Sequence, residues 1–213
     1  MDHTLETSDF SVIADRLASV GREFHRRGWV LGTSGNFSEV LSHEPLRLAI
    51  TASGMDKGAL AANHILQVDE SALVISGDGR PSAETKLHLA VVRLRRANAV
   101  LHTHSVWSTM LSDEYGDEGG FTISGYEMLK GLEGVDSHEH VERVPIIENS
   151  QDADLLARRI GDRLGSDPNA HCFLLRRHGL YTWGRTLDEA KRHIEILEFL
   201  LEIVGRTRQN ARC

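Results

Sequence analysis

The stretch Ala99-Val-Leu-His-Thr-His104 places apolar residues directly before two histidines that stand two positions apart. A short apolar run of this kind predicts a buried strand. Alternate side chains of a strand lie on one face, so His102 and His104 project together and can close on one metal ion. Because the chain has 12 histidines in 213 residues, chance can also produce such a pair, and the alternative interpretation is a polar sheet face.

A third histidine, His178, lies in Arg176-Arg-His-Gly179, directly after an apolar run. The glycine permits a tight turn and a close approach to a site. On its own, His178 is more often a surface or capping histidine. Three neutral imidazoles, however, form a catalytic zinc set with an open position, at which zinc polarises a carbonyl group.

The other histidines lack this context and are interpreted as structural or solvated: His3, His25, His43, His64, His88, His138, His140, His171 and His193. Among them, the pair in His138-Glu-His140 is the main rival metal site. It lies in a charged stretch with no predicted strand before it, which favours the first set.

Apolar periodicity on both sides of residues 99–104 predicts the helices. One helix is expected from a cap at Ser8 or Asp9 to about Arg27, ended by Gly28. Three more are expected at 85–96, 152–164 and 187–204. In the helix at 85–96, the residues expected to point inward are Leu87, Leu89, Val91, Val92 and Leu94.

Runs of alternating or continuous apolar residues predict the strands: 37–41, 46–51, a hairpin at 65–68 and 72–75, then 99–104, 141–147 and 172–177. Strands in runs between helices favour an α/β fold, with a largely antiparallel sheet covered by helices on both faces. Without a linker or repeat, residues 1–213 are expected to form one domain. Two glycine-containing turns, 32–36 and 52–54, are typical of anion-binding loops.

Composition limits the class of partner. The chain has 24 Lys and Arg against 31 Asp and Glu, a formal charge of −7, and its arginines are interspersed with acidic residues. Nucleic acid and anionic membranes are therefore not expected partners. The sequence has no apolar segment long enough for a membrane span and only two cysteines, Cys172 and Cys213, which indicates a cytoplasmic protein in a reducing compartment.

Five motifs together resemble the class II aldolase superfamily over about residues 10–205: Thr33-Ser-Gly-Asn36, Thr51-Ala-Ser-Gly54, Pro81-Ser-Ala-Glu84, His102-Thr-His104 and Arg177-His-Gly179. The resemblance implies a three-layer α/β/α fold and one zinc ion per subunit on His102, His104 and His178. It also implies a substrate and phosphate pocket from Asn36, Ser53, Gly54, Ser82 and Glu84. Finally, it implies a ring-shaped homotetramer with sites at subunit interfaces, and a phosphorylated ketose as substrate.

Within the superfamily, three stretches resemble the dehydratases more than the aldolases: Tyr126-Glu-Met-Leu-Lys-Gly131, Val144-Pro-Ile-Ile-Glu-Asn149 and Arg176-Arg-His-Gly-Leu-Tyr-Thr-Trp-Gly184. The resemblance to dehydratases implies that Glu127 is the acid/base, whereas in aldolases that role belongs to the position of Glu84. The chain has both carboxylates, and Ala83 replaces a serine of the aldolase pattern. The alternatives are a zinc-dependent sugar-phosphate aldolase or epimerase and a non-enzymatic module like the adducin head.

Overall fold

The computed structural model describes the backbone of residues 3–211 and the side chains of 10–210. The α-helices are α1 His3–Arg26, α2 Thr85–Arg95, α3 Val106–Glu114, α4 Ala153–Gly165 and α5 Leu187–Ala211. The strands are β1 Asn36–His43, β2 Leu46–Thr51, β3 Ile65–Asp69, β4 Val74–Ser76, β5 Ala99–Thr103, β6 Gly120–Ile123, β7 Glu142–Ile147, β8 Cys172–Leu175 and β9 Gly179–Gly184. Short 3-10 helices occupy Lys57–Ala59, Ala62–His64 and Glu127–Gly131.

The strands form one sheet in the order β4-β3-β2-β1-β5-β9-β8-β7-β6. Strands β7 and β8 are parallel, and the other neighbours in this sheet are antiparallel. The expected largely antiparallel sheet is therefore confirmed. Strand β5 lies at its centre, between β1 and β9.

Two hydrophobic clusters cover the two faces of the sheet. One contains residues of α1 and α5, and the other contains residues of α2 and α4. Successive side chains of β5 pack into different clusters, since Leu101 belongs to the first cluster and Val100 to the second. The α/β/α layering that the sequence indicated is confirmed, and His102 lies on the same face of the sheet as Val100.

Three local predictions were wrong. Helix α1 already includes Ser8 and Asp9, so neither residue caps it, because capping residues also occur within longer helices. Leu94 is 40% exposed, since it lies on the solvent side of the last turn of α2. Strand β8 ends at Leu175 and does not reach Arg177, which adopts a left-handed φ of 56° in the turn to β9.

Two sequence-based expectations concern the environment of the chain. No helix among the described residues is long and apolar enough to cross a membrane. Cys172 is a free, buried thiol on β8 whose pKa is raised well above its usual range by burial. Cys213 lies outside the described residues.

Candidate metal and substrate site

Three histidine side chains meet beyond the end of β5. His102 is buried within the strand, and His104 follows one residue after the strand ends, where its backbone N–H donates to the Trp29 carbonyl at 2.7 Å. The Nε2 atoms of His102 and His104 are 2.8 Å apart. His178 completes the set, and one nitrogen from each ring lies within 4.8 Å of the others. The structure thus brings together the three predicted ligands.

The hydrogen bonds and pKa values of His102 and His104 are those expected of metal-binding histidines. Nδ1–H of His102 donates to the Leu180 carbonyl at 2.9 Å, which leaves the lone pair of Nε2 facing the other two rings. Burial, followed by the neighbouring His104 and His178, holds the pKa of His102 well below its usual range. Burial also lowers the pKa of His104 to about 4. Lowered pKa values at His102 and His104, together with converging ring nitrogens, therefore fit a metal ion.

Backbone geometry around Gly179 brings β9 close to β5. A Cβ at this position would lie 2.1 Å from the Thr103 carbonyl oxygen and 3.1 Å from Cε1 of His102, so only glycine fits. The turn before it is fixed by Arg177, whose N–H donates to Ser112 Oγ and whose Nε donates to Asp113. Together these contacts place His178 beside the end of β5.

Glu84 also faces the three histidines. Its Oε1 lies 3.3 Å from Nε2 of His178 and 3.6 Å from Nε2 of His102. Its Oε2 accepts a hydrogen bond from the Asn36 amide at 2.5 Å. Glu84 is therefore held beside the three histidines, at the start of α2, in a fixed orientation.

A buried hydrogen-bond chain fixes Asn36 in turn. Nε2–H of His88 donates to Asn36 Oδ1 at 2.5 Å, and Nδ1 of His88 accepts from the Ser38 hydroxyl at 2.7 Å. Burial lowers the pKa of His88 to about 3, so the ring stays neutral in this arrangement. This chain of hydrogen bonds links β1 and α2 to the three clustered histidines through Ser38, His88, Asn36 and Glu84.

A cavity of about 100 Å³ opens beside His104. The predicted loop residues Asn36, Ser53, Gly54, Ser82 and Glu84 all line it. The turn at Gly54 has a φ of 77°, which favours glycine. The structure thus gathers both glycine-containing loops at one cavity next to the three histidines.

Lys57 also lines this cavity, and the sequence interpretation missed it. Its Nζ donates to the carbonyls of Met55 and Thr33, at 2.9 and 3.2 Å. Lys57 is 1% exposed, and burial lowers its pKa to about 8 against the opposing effects of Asp56 and Glu84. A basic residue three positions after Gly54 is the sequence signal that could have identified it.

Tyr181 and His88 are further site residues that the sequence did not single out. The Tyr181 ring stacks on His102 with centroids 3.8 Å apart and on Phe173 with centroids 4.8 Å apart. This packing fixes the plane of the His102 imidazole. Tyr181 lies within the quoted stretch 176–184 and His88 lies outside the motifs, but neither was given a role, because both act through contacts between distant segments.

Glu127 lies apart from this arrangement in the described contacts. Its side chain is 73% exposed at the start of the 3-10 helix Glu127–Gly131, where it pairs with Lys130 and with His138. His138 and His140, the rival metal pair, have different partners, because His140 contacts Glu142. The structure therefore does not bring these two histidines to a shared site.

Comparison with known proteins places this geometry in a family. Residues 15–204 match the family described as class II aldolase and adducin N-terminal domain. Methylthioribulose-1-phosphate dehydratase of Marinobacter nauticus is 39% identical, with 92% of this chain and 94% of that protein covered. The dehydratase of the same name from Methylococcus capsulatus is 40% identical, with 95% and 97% covered.

Solved structures share the fold. The protein YgbL of Escherichia coli has a TM-score of 0.77 at 27% identity, with 92% of this chain and 89% of that chain covered. L-fuculose-1-phosphate aldolase of Thermus thermophilus has a TM-score of 0.74 at 22% identity, with 97% and 98% covered. The likeness to the aldolase concerns the fold alone. With the family match across most of its length and relatives about 40% identical, the chain belongs to the class II aldolase and adducin N-terminal domain family.

Proposed function

We propose that this chain is a zinc-dependent dehydratase that converts 5-methylthioribulose 1-phosphate to 2,3-diketo-5-methylthiopentyl 1-phosphate, a step of methionine salvage. The carrying observation is the identity of about 40% to methylthioribulose-1-phosphate dehydratases over almost the full length of both proteins. The three clustered histidines support an enzyme over a non-enzymatic, adducin-like module, which has no need of such a set.

The metal would be held by His102, His104 and His178, one ion per subunit. Three clustered imidazole nitrogens and an open side toward a cavity are typical of catalytic zinc. When bound there, zinc supplies Lewis-acid polarisation of a ketose carbonyl, which acidifies the neighbouring C–H group. Free Cys172 and the acidic composition support a cytoplasmic location.

The two loops would hold the substrate phosphate. Ser53, Gly54, Ser82 and Asn36 offer small side chains and accessible backbone around the cavity beside His104. Lys57 adds a positive charge at the same cavity, within a chain whose net charge is −7. A phosphate at this cavity would orient the ketose toward the three histidines.

Glu127 would move the protons of the dehydration, taking the proton from C3 and assisting loss of the C4 hydroxyl as water. Because its carboxylate is 73% exposed and its described partners are Lys130 and His138, we propose that it serves the site of a neighbouring copy in a homotetramer. Glu84, held by Asn36 beside the metal ligands, would then bind and orient the substrate.

A second candidate is a sugar-phosphate aldolase or epimerase. The observation in its favour is the position of Glu84, 3.3 Å from His178 within the same chain, since a carboxylate there could itself act as the base. In that case Glu127 would be a surface residue.

Substrate turnover distinguishes these candidates. The zinc-loaded protein would be assayed with methylthioribulose 1-phosphate, fuculose 1-phosphate and ribulose 5-phosphate at equal concentrations. We expect turnover with the first, with release of water and no carbon–carbon cleavage. Turnover of fuculose or ribulose phosphate alone would identify the second candidate. A folded, zinc-loaded protein that turns over none of the three would contradict both.

A further inference from the structure

A second cluster of metal-ligating side chains lies at the opposite end of the same strands. His171 directly precedes β8, and Glu142 begins β7, whereas the three-histidine site lies beyond the end of β5 where β9 begins. His140 Nε2 and His171 Nδ1 lie 2.9 and 2.8 Å from the same oxygen, Oε2 of Glu142. Donor atoms of these three residues lie within 4.8 Å of one another, as in the first site.

The hydrogen bonds around His171 favour a ligand role. Its Nε2 lies 2.8 Å from the Glu133 carbonyl, an acceptor, so Nε2 carries the proton. Nδ1 lies 2.8 Å from Oε2 of Glu142, so a proton or a cation must lie between these two atoms, and a metal ion can take that place. A ring that donates one N–H to a carbonyl and directs its other nitrogen to a shared point has the arrangement of a metal-bound histidine.

Glu142 contributes a buried negative charge. Its side chain is only 1% exposed, and its Oε1 accepts the backbone N–H of His171 at 3.2 Å. Oε2 is left for the two imidazoles, and contacts with both histidines lower the pKa of Glu142 against the effect of burial. A buried carboxylate needs a positive partner at close range.

We propose that His140, Glu142 and His171 form a second divalent-metal site, of the zinc class, separate from the three-histidine site. Two imidazoles and one carboxylate form a common zinc ligand set. Bonds of about 2.0–2.1 Å in tetrahedral geometry separate ligand atoms by about 3.3 Å, so the present contacts need to open by only about half an ångström. The His140 side chain is 29% exposed, which leaves it room for such a movement.

The fourth coordination position would face a cavity of about 760 Å³, which His140, His171 and His193 line. The cavity gives the ion a route from solvent and room for water or a small anion. The ion would join the turn at residues 137–141 to the starts of β7 and β8, which supports a structural role. The alternative is a purely hydrogen-bonded triad that binds no metal ion.

Zinc binding to the purified full chain tests the proposal. The protein would be stripped with chelator, dialysed against low micromolar zinc and analysed for bound metal, with folding checked by circular dichroism. We expect two zinc equivalents in the unchanged chain and one in His104→Ala, which isolates the second site. The double variant His104→Ala, His140→Ala should retain none.

Two further variants exclude trivial explanations. His138→Ala, in the same segment but outside the cluster, should retain the second equivalent when combined with His104→Ala. His140→Cys, which supplies a thiolate ligand, should also retain it, whereas a hydrogen-bonded triad gives no such rescue. A folded His104→Ala protein that binds no zinc, or a double variant with His140→Ala that still binds one equivalent, would overturn the proposal without affecting the proposed dehydratase activity.

Discussion

Oε1 of Glu84 lies 3.3 Å from Nε2 of His178, so a carboxylate directly faces the clustered histidine nitrogens within a single chain. The other oxygen of Glu84 is held by Asn36, and the carboxylate therefore points to the histidines without having to be ordered by substrate. A group in this position can contact the cation, orient the ketose or take its proton. In the proposed dehydratase mechanism, the exposed Glu127 takes the substrate proton instead of Glu84.

Replacing His104 with alanine should remove the catalytic metal. We expect one zinc equivalent fewer than in the unchanged chain and a loss of turnover of more than about 100-fold, because one of three ligands is missing. Elemental analysis and steady-state assays on the same samples measure both effects. His43→Ala, which changes an exposed histidine paired with Asn98, is the control. Full zinc content and activity in His104→Ala would refute the ligand assignment.

Conservative changes at the two carboxylates should separate their roles. Glu127→Gln should retain zinc and fold but reduce kcat by about 10²–10⁴, the usual contribution of general acid–base catalysis. Glu84→Gln should raise KM more than it reduces kcat, because this position would orient the substrate. Steady-state kinetics with zinc quantified in the same samples provides the test. Near-normal turnover without Glu127, together with an inactive Glu84 variant, would reverse the assignment.

Mixed oligomers test whether Glu127 acts on a neighbouring copy. We expect light scattering to give the mass of a tetramer. Inactive His104→Ala and Glu127→Gln chains would then be mixed, dissociated and reassembled. Random pairing should restore about a quarter of full activity. Some sites in the mixture then combine an intact histidine set with an intact neighbouring Glu127. Action within one chain predicts no recovery, and a fully active monomer would contradict the tetramer.

Lys57→Met should weaken phosphate recognition. A hydrogen bond from a charged donor contributes about 1.5–3 kcal/mol to binding. Its loss should raise KM about 10- to 100-fold and change kcat only a few-fold. Because the pKa of Lys57 is about 8, its charge is present below that pH, and the KM of the unchanged chain should rise as pH increases through it. The KM of Lys57→Met should lack this rise. The control is Lys86→Met, which changes an exposed lysine paired with Asp154. An unchanged KM for Lys57→Met would exclude a role of Lys57 in phosphate recognition.

The buried carboxyl group of Glu198 should make the stability of the fold depend on pH. It accepts a hydrogen bond from Thr103 at 2.6 Å behind the histidine pair, and burial raises its pKa from 4.5 to about 7. The folded state therefore binds more protons than the unfolded state between these values, and this carboxyl destabilises the fold progressively as pH rises through that window.

Glu198→Gln should remove this effect. Relative to the unchanged chain, the variant should gain up to about 3 kcal/mol in free energy of unfolding between about pH 4.5 and about pH 7. Urea unfolding of both proteins across this pH range measures the difference in their free energies of unfolding. The buried histidines titrate in both proteins, so their contribution cancels in this difference. A difference that does not vary with pH would show that Glu198 is ionised in the fold.

The sequence predicted the central strand and the main helices because their burial follows simple periodicity. Val100 and Leu101 pack on opposite faces of the sheet, as alternation requires. Strand β9, Gly179–Gly184, was not predicted: all six residues are buried, so no alternation marks it, and glycine bounds it at both ends. Helix α3 and β6 are too short to show a clear period.

At the site, the sequence predicted what a local pattern can encode. His102 lies in β5 and His104 directly follows the strand, two positions later, and His178 lies in the turn before Gly179. The contacts of His88 with Asn36 and of Lys57 with Thr33 join residues 52 and 24 positions apart, which no spacing rule reveals. The exposed position of Glu127 likewise depends on how the chain folds around it.

The buried chain from Ser38 through His88 to Asn36 has a spectroscopic consequence. The Nε2 proton of His88 is enclosed by the fold and engaged by an amide oxygen, so it should exchange with solvent only when this part of the protein opens. Such a proton gives a persistent imidazole N–H resonance. Since the Asn36 amide joins it to the carboxylate of Glu84, its chemical shift becomes an internal reporter of cation or ligand arrival, readable without turnover and without an added label.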